Sequence, residues 1–220
     1  MTVEKYTDRA QAGKILAKKL RAYANRSDRV VLALPRGGVP IGFEVARALK
    51  APLDVLVVRK LGVPGNSELA MGAIAMNGIR MLNEDLIQEL QISPSAIDRV
   101  TQVEQQELER RESAYRGNRP PLNLIDKTVI LVDDGMATGA TMRVAVKAVR
   151  ALHPAHIVIA IPVAARDTCQ EMLLLVDELI CPLIPEHFYT VGTWYEDFPQ
   201  TSDEEVCHLL GANHDSLHPH

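Results

Sequence analysis

VILVDDGMATGATM, residues 129–142, runs from an apolar stretch through two adjacent carboxylates into a loop of small residues. Four aliphatic side chains in a row read as a strand buried on both faces, as in a parallel sheet. A Thr-Gly-x-Thr loop then leads into a segment with helical apolar spacing, so a helix begins where the loop ends. Strand, loop and helix in that order belong to the α/β alternation of a parallel sheet, whose ligands sit beyond the carboxyl ends of the strands.

The same alternation extends in both directions. Short apolar runs at residues 30–34, 53–58, 128–132, 156–161 and 178–181 predict five strands. Residues 9–24, 40–49, 139–152 and 165–176 predict helices, the first with Asp8 placed as its cap. The fold class expected is α/β: a doubly wound, mostly parallel five-stranded sheet covered on both sides, in one domain over residues 1–220. Residues 59–82 are glycine-rich and read as irregular, ending in a short strand at 79–82. Asn83 is placed to cap a helix from Glu84, and a longer polar helix spans about 94–116 before GNRPP closes it. These two form a helical insert over about 84–117, whose alternating charges (EQQELERRESAYR, residues 104–116) suit a solvent-exposed helix. Arg110, Arg111 and Arg116 could instead border a site or a subunit interface.

Composition narrows the function. The chain has 220 residues, enough for one large core, and 47% hydrophobic against 24% charged residues is the balance of a soluble globular protein. Apolar runs such as VVLAL are too short to cross a bilayer, and MTVEKYTDRAQ has no signal core, so a cytoplasmic protein without a membrane partner is expected. A net charge of −4 argues against a nucleic-acid binder and requires any anionic substrate to be met by local positive charge. Three cysteines without CxxC spacing indicate reduced thiols, and seven histidines contain no HExxH, so no structural metal is expected.

Asp133 and Asp134 cannot both face one ligand inside a regular strand, but they can at its end, where Gly135 permits a turn. Paired carboxylates accept hydrogen bonds from paired hydroxyls, which suits a ribose diol. Beyond them Ala137, Thr138, Gly139, Ala140 and Thr141 let backbone amides approach a ligand, and a helix N-terminus favours a phosphate. Ordinary turn chemistry with a threonine cap is the competing reading. The Walker pattern and GxGxxG are both absent.

This stretch resembles the signature of type I phosphoribosyltransferases, which bind 5-phosphoribosyl 1-pyrophosphate (PRPP). The resemblance implies that Asp133 and Asp134 hold the ribose hydroxyls, with Mg2+ reached through ribose and pyrophosphate, and that residues 137–141 cradle the 5-phosphate. LALPRGGVPIG, residues 32–42, matches the family's pyrophosphate loop, with Arg36, Gly37 and Gly38 at a helix start. VVRKLGVPGNSELAMGAIA, residues 57–75, matches the position of a flexible loop over about 59–80. Arg59 and Lys60 would oppose pyrophosphate there, and Glu68 is either an acid or base for the nucleophile or a solvated loop residue. EHFYTVGTWYEDFPQ, residues 186–200, holds five of the nine aromatics and resembles the hood of purine phosphoribosyltransferases, here about 183–200. On that match Tyr189 stacks on the base, Thr190 and Val191 read its edge, and Glu196 or Asp197 lies nearby. Core packing or a dimer contact is the alternative use of those rings.

Two departures are visible. Ala137 stands where the resemblance to hypoxanthine-type enzymes implies a catalytic aspartate; the adenine, orotate and xanthine types also have alanine there, and the purine enzymes lack the helical insert. With RKLGVPGN, LNEDL and WYEDF…SDEEV, the chain is most similar to a bacterial family of phosphoribosyltransferase-like proteins with no assigned acceptor. The expected activity is Mg2+-dependent transfer of the 5-phosphoribosyl group from PRPP to a nitrogenous base, purine-like by its hood, within nucleotide metabolism and salvage. The partners implied are PRPP, a nucleobase or nucleoside monophosphate, and a second copy in a homodimer. A non-catalytic PRPP or nucleotide sensor of the same fold, or a nucleotide hydrolase or phosphorylase, would use the same pockets.

Overall fold

A computed structural model describes residues 5–117, 119–120 and 123–217. Five strands form one sheet in which every neighbouring pair is parallel: β1 (Arg29–Ala33), β2 (Leu53–Val55), β6 (Thr128–Val132), β7 (His156–Ala160) and β8 (Glu178–Ile180), in the order β2-β1-β6-β7-β8. All five residues of β6 are buried, as its unbroken apolar run requires. Ile130 and Val132 join one core and Val129 and Leu131 the other, because successive side chains point to opposite faces.

Helices cover both faces. On one side lie α1 (Arg9–Lys19), α2 (Gly38–Leu49) and α7 (Asp203–Leu217), which place Leu16, Ile41, Val45 and Leu210 in the first core. On the other lie α5 (Ala140–Arg150) and α6 (Arg166–Leu173), which contribute Met142, Val146, Val149 and Met172 to the second. Each such aliphatic side chain contributes roughly 1.5–3 kcal/mol on full burial. The expected cap of α1 is present: Asp8 Oδ1 accepts from the Gln11 amide at 2.7 Å. The 15-residue helix α7 follows the hood and carries no expectation from the sequence reading.

Residues 59–82 differ from the irregular reading. They form an antiparallel sheet of β3 (Val58–Val63), β4 (Asn66–Ala75) and β5 (Arg80–Leu82), and the run 53–58 divides between β2 and β3. Glycine served a different purpose from looseness here. A Cβ on Gly72 would lie 2.3 Å from the Met81 carbonyl oxygen, so a bare backbone lets β4 and β5 pair closely.

The insert consists of α3 (Glu84–Glu89) and α4 (Pro94–Arg116), capped by Asn83 and Ser93. It is not solvated all round. Ile97, Leu108 and Tyr115 are buried, and α4 packs on β3 and α7. Arg110 and Arg111 pair with Glu107, and Arg116 pairs with Asp54 at 3.1 Å, both side chains nearly buried.

After β1 the chain moves outward to β2, and it re-enters on the other side of β1 as β6. The strand order therefore reverses between β1 and β6, which is where an open parallel sheet leaves a crevice for ligand. Ala33 pairs with Val132 at this point, so residues 35–38 and Asp133–Asp134 leave the sheet side by side.

Candidate active site

Two loops meet in that crevice with very little space between them. A Cβ on Gly37 would lie 2.0 Å from Asp134 Oδ2, and one on Gly38 would lie 2.7 Å from the Val132 carbonyl oxygen and 2.9 Å from Asp133 Cα. The pair of glycines is thus a condition for the acidic pair and the Arg36 loop to touch. The peptide bond joining Pro35 to Arg36 is cis. Asp133 Oδ1 accepts from the Asp134 amide at 2.8 Å. Burial raises the Asp133 carboxyl well above the usual carboxylate range, and the neighbouring Asp134 charge raises it further. Burial also raises Asp134, with the Arg9 guanidinium opposing the shift.

Arg9 is the residue that local reading missed. Its Nε and Nη2 donate to Asp134 Oδ2 at 3.1 and 2.9 Å. It lies 125 positions from its partner and begins an ordinary amphipathic helix, so no local pattern marks it.

The loop after the carboxylates is braced by side chains from α5 and α6. Gly139 sits at φ +71°, a left-handed conformation that favours glycine, and α5 starts at the next residue, whose amide donates to Thr138 Oγ1 at a long 3.5 Å. Thr168 Oγ1 donates to the Ala137 carbonyl at 2.5 Å, and Arg143 donates to the Thr138 carbonyl at 3.0 Å. A pocket of about 160 Å3 is lined by Asp133, Gly135 and residues 136–142. Amides at a helix N-terminus beside a pocket of this size are an arrangement that favours an anion.

A family model described as "Phosphoribosyl transferase domain" matches residues 2–180. The chain belongs to that family. Two Mycobacterium tuberculosis proteins, from strains CDC 1551 / Oshkosh and H37Rv and each named "Putative phosphoribosyl transferase", are 43% identical over 209 residues, 95% of this chain and 47% of theirs. The chain thus spans about half the length of these relatives. The crystal structure of TT1426 from Thermus thermophilus is 37% identical, with a TM-score of 0.79 over 94% of this chain and 97% of that one. The hood and α7 lie beyond the residues that the phosphoribosyl transferase model matches.

Outside the braced crevice, the expected site residues separate. Arg59 and Lys60 are adjacent in a strand, so their side chains leave opposite faces. Arg59 faces the insert, where its Nη2 pairs with Glu104 Oε2 at 2.6 Å. Lys60 faces α5 and lines a cavity of about 480 Å3 together with Asn83, Thr138, Thr141 and Arg143. The joint opposition of pyrophosphate expected of these two residues does not follow from this arrangement. The Glu68 side chain lies outside the described residues. Arg36 Nη1 is 3.8 Å from Asp203 Oδ1 at the start of α7.

Four hood rings serve packing. Phe188 stacks near Trp194, Tyr195 contacts Tyr6 and Phe198, and Arg9 lies 3.8 Å from the centre of the Phe198 ring. Tyr189 alone among the five stands free of the core, 76% exposed. Val191 approaches the site from above, since a Cβ on Gly135 would lie 2.5 Å from its Cγ1. Thr190 and Thr193 share a hydroxyl hydrogen bond at 2.9 Å. Glu196 and Asp197 are exposed, and their amides pair with the carbonyls of Tyr6 and Thr7.

Proposed function

We propose that this chain transfers the 5-phosphoribosyl group from PRPP to a nitrogenous base, with a purine-like acceptor favoured, and releases pyrophosphate. The observation that carries the reading is the contact of Gly37 and Gly38 with the acidic pair, beside a helix N-terminus at a pocket of about 160 Å3. Sugar, phosphate and leaving group need three such neighbours in one crevice.

The 5-phosphate binds the amides of residues 137–141 and the hydroxyls of Thr138 and Thr141, and Lys60 supplies a cation from the adjoining cavity. Asp133 and Asp134 accept hydrogen bonds from the ribose hydroxyls. Pyrophosphate lies on the Gly37 amide and on Arg36, which exchanges its loose pairing with Asp203 for the ligand, while the Gly38 amide, which donates to the Leu34 carbonyl at 3.1 Å, joins only by releasing it. Arg59 joins the leaving group only by releasing Glu104. Tyr189 stacks on the acceptor, the backbone at Thr190 and Val191 reads its edge, and Glu196 lies at the rim.

Among the described residues, no three His, Cys, Asp or Glu side chains gather to hold a metal. Two carboxylates, one of them taken by Arg9, suit Mg2+ that arrives on the oxygens of PRPP. When bound, the ion neutralises the departing pyrophosphate. The bond from C1 to the pyrophosphate oxygen breaks as the bond to the base nitrogen forms, and the negative acidic pair favours the positive charge passing through C1. The far phosphate anchors the sugar, so remote binding energy orients C1. Ala137 offers no proton acceptor, so the proton of the base leaves to solvent.

The test is pyrophosphate release from PRPP and Mg2+ across a panel of nucleobases, with the nucleoside monophosphate identified by mass. A chain that releases nothing, and whose melting temperature is unmoved by PRPP with Mg2+, is not this enzyme. The supporting setting is a cytoplasmic homodimer in nucleotide salvage. Among the described residues no helix is long and apolar enough to cross a membrane.

A further inference from the structure

The hood and the acidic pair are far apart in sequence and share one buried cation. Arg9 donates to Asp134 Oδ2 through Nε and Nη2, and its Nη1 donates to the Pro199 carbonyl at 2.6 Å. Its guanidinium also lies within 3.8 Å of the Phe198 ring centre. A planar fork can satisfy a carboxylate, a carbonyl and an aromatic face at once, whereas an ammonium group can meet only one of them in a fixed direction. The side chain is 10% exposed and that of Asp134 is 17% exposed, so water screens this pairing little.

Neighbouring contacts reinforce the same connection. The Tyr6 amide donates to the Trp194 carbonyl at 2.9 Å, and the Glu196 and Asp197 amides donate back to Tyr6 and Thr7 at 2.8 and 2.9 Å. The Tyr195 hydroxyl donates to the Asp134 carbonyl at 2.5 Å. The segment that leads into α1 is thus zipped to the hood, and its first helical residue grips the acidic pair.

We propose that Arg9 is a positioning residue that couples the seating of the hood to the orientation of Asp134, so that base and sugar are held in one fixed relation. Its effect on the sugar rests on the PRPP reading above; its effect on the hood does not. Without the guanidinium, Asp134 is a largely buried carboxylate with no cation beside it, pressed against Gly37, and the hood keeps only the Tyr195 hydroxyl bond to the Asp134 carbonyl, with nothing tying it to the carboxylate.

The chain has a single tryptophan, Trp194, inside the hood, so its emission reports hood seating directly. The full chain is compared as wild type, Arg9→Lys, Arg9→Gln, Asp134→Asn and the Arg9→Gln/Asp134→Asn double variant. Tryptophan emission and acrylamide quenching are read alongside calorimetric binding of PRPP with Mg2+. Arg9→Gln is expected to shift Trp194 emission to longer wavelength and to weaken PRPP about tenfold or more, the loss that follows a charge-assisted hydrogen bond. Arg9→Lys recovers only part of each effect, and the double variant binds PRPP no more weakly than Asp134→Asn alone.

Unchanged emission in Arg9→Gln, or effects on PRPP binding that multiply in the double variant, overturns the proposal. Should Arg9→Gln fail to fold by circular dichroism, the Arg9→Lys comparison decides by the same two readouts. A wild-type chain that ignores PRPP while Arg9→Gln still loosens Trp194 removes the substrate reading and leaves the hood coupling in place. PRPP binding that survives Arg9→Gln intact overturns the coupling to the sugar and leaves the substrate reading standing.

Discussion

Gly37→Ala is the smallest change that probes the central contact. The backbone at Gly37 has φ −60°, which any residue adopts, so the added methyl acts by volume alone. It would lie 2.0 Å from Asp134 Oδ2 and 2.7 Å from Asp134 Cγ, well inside the roughly 3.5 Å of an ordinary contact. The carboxylate must therefore move by roughly 1.5 Å. That motion breaks both hydrogen bonds from Arg9, at 2.9 and 3.1 Å, between groups that are largely buried. The cost is about 2–3 kcal/mol, typical of a charge-assisted pair and of an overfilled core position. For a chain of this size the melting temperature falls by roughly 5–10 °C. Misplacing a reacting group by about 1 Å costs on the order of a hundredfold in rate, so pyrophosphate release falls by at least that much. Scanning calorimetry and a coupled pyrophosphate assay measure the two losses. Adding Gly37→Ala to an Asp134→Ala background is expected to cost almost nothing further, because the clashing atoms are gone. A Gly37→Ala chain that melts and turns over like wild type would refute the account of the site, and so would a full loss in the Asp134→Ala background.

Asp133→Asn should abolish transfer and raise the melting temperature at neutral pH. Burial holds the Asp133 carboxyl above its ordinary range, so the folded chain binds more protons there than the unfolded one. Stability from this group is greatest at acid pH and declines as pH rises from the unfolded carboxylate range near ~4 through the higher folded value. The variant should flatten that decline, and thermal melts across pH 4–8 would show an unaltered slope if the reasoning is wrong. Glu104→Gln should release Arg59 and tighten PRPP severalfold at a stability cost of about 0.5–1 kcal/mol, since the pair is partly exposed. Weaker PRPP binding in calorimetry would instead show that the pair builds the site. Tyr189→Ala should leave the melting temperature nearly unchanged, because the ring is mostly solvated, while raising the KM for the base about tenfold. Equal KM values would remove Tyr189 from the acceptor site.

Local patterns carried far in this chain because its fold obeys them. The run VILV is buried on both faces, and Asp8 and Asn83 cap helices where their spacing places them. The insert was legible as a helix over 94–116, but its buried face was not. Ile97, Leu108 and Tyr115 are spaced 11 and 7 apart on an otherwise polar helix, too sparse to show an apolar stripe. Residues 59–82 misled for another reason. Their glycines read as loop, whereas Gly62 and Gly72 permit close pairing across β3, β4 and β5. That difference has a functional consequence, because a loop can turn Arg59 and Lys60 to one ligand and a strand cannot.

The sequence by itself determined the parallel sheet, the acidic strand end and the small-residue loop before a helix, since each depends on residues within a few positions of one another. Only the tertiary structure decided which cation answers Asp134, which of two adjacent basic residues faces the loop before α5, and which hood ring remains outside the core. Those outcomes depend on contacts between segments as much as 190 residues apart, such as Arg9 with Pro199. No local periodicity encodes them, because the free energy of each pairing arises only after the sheet has brought its strand ends together.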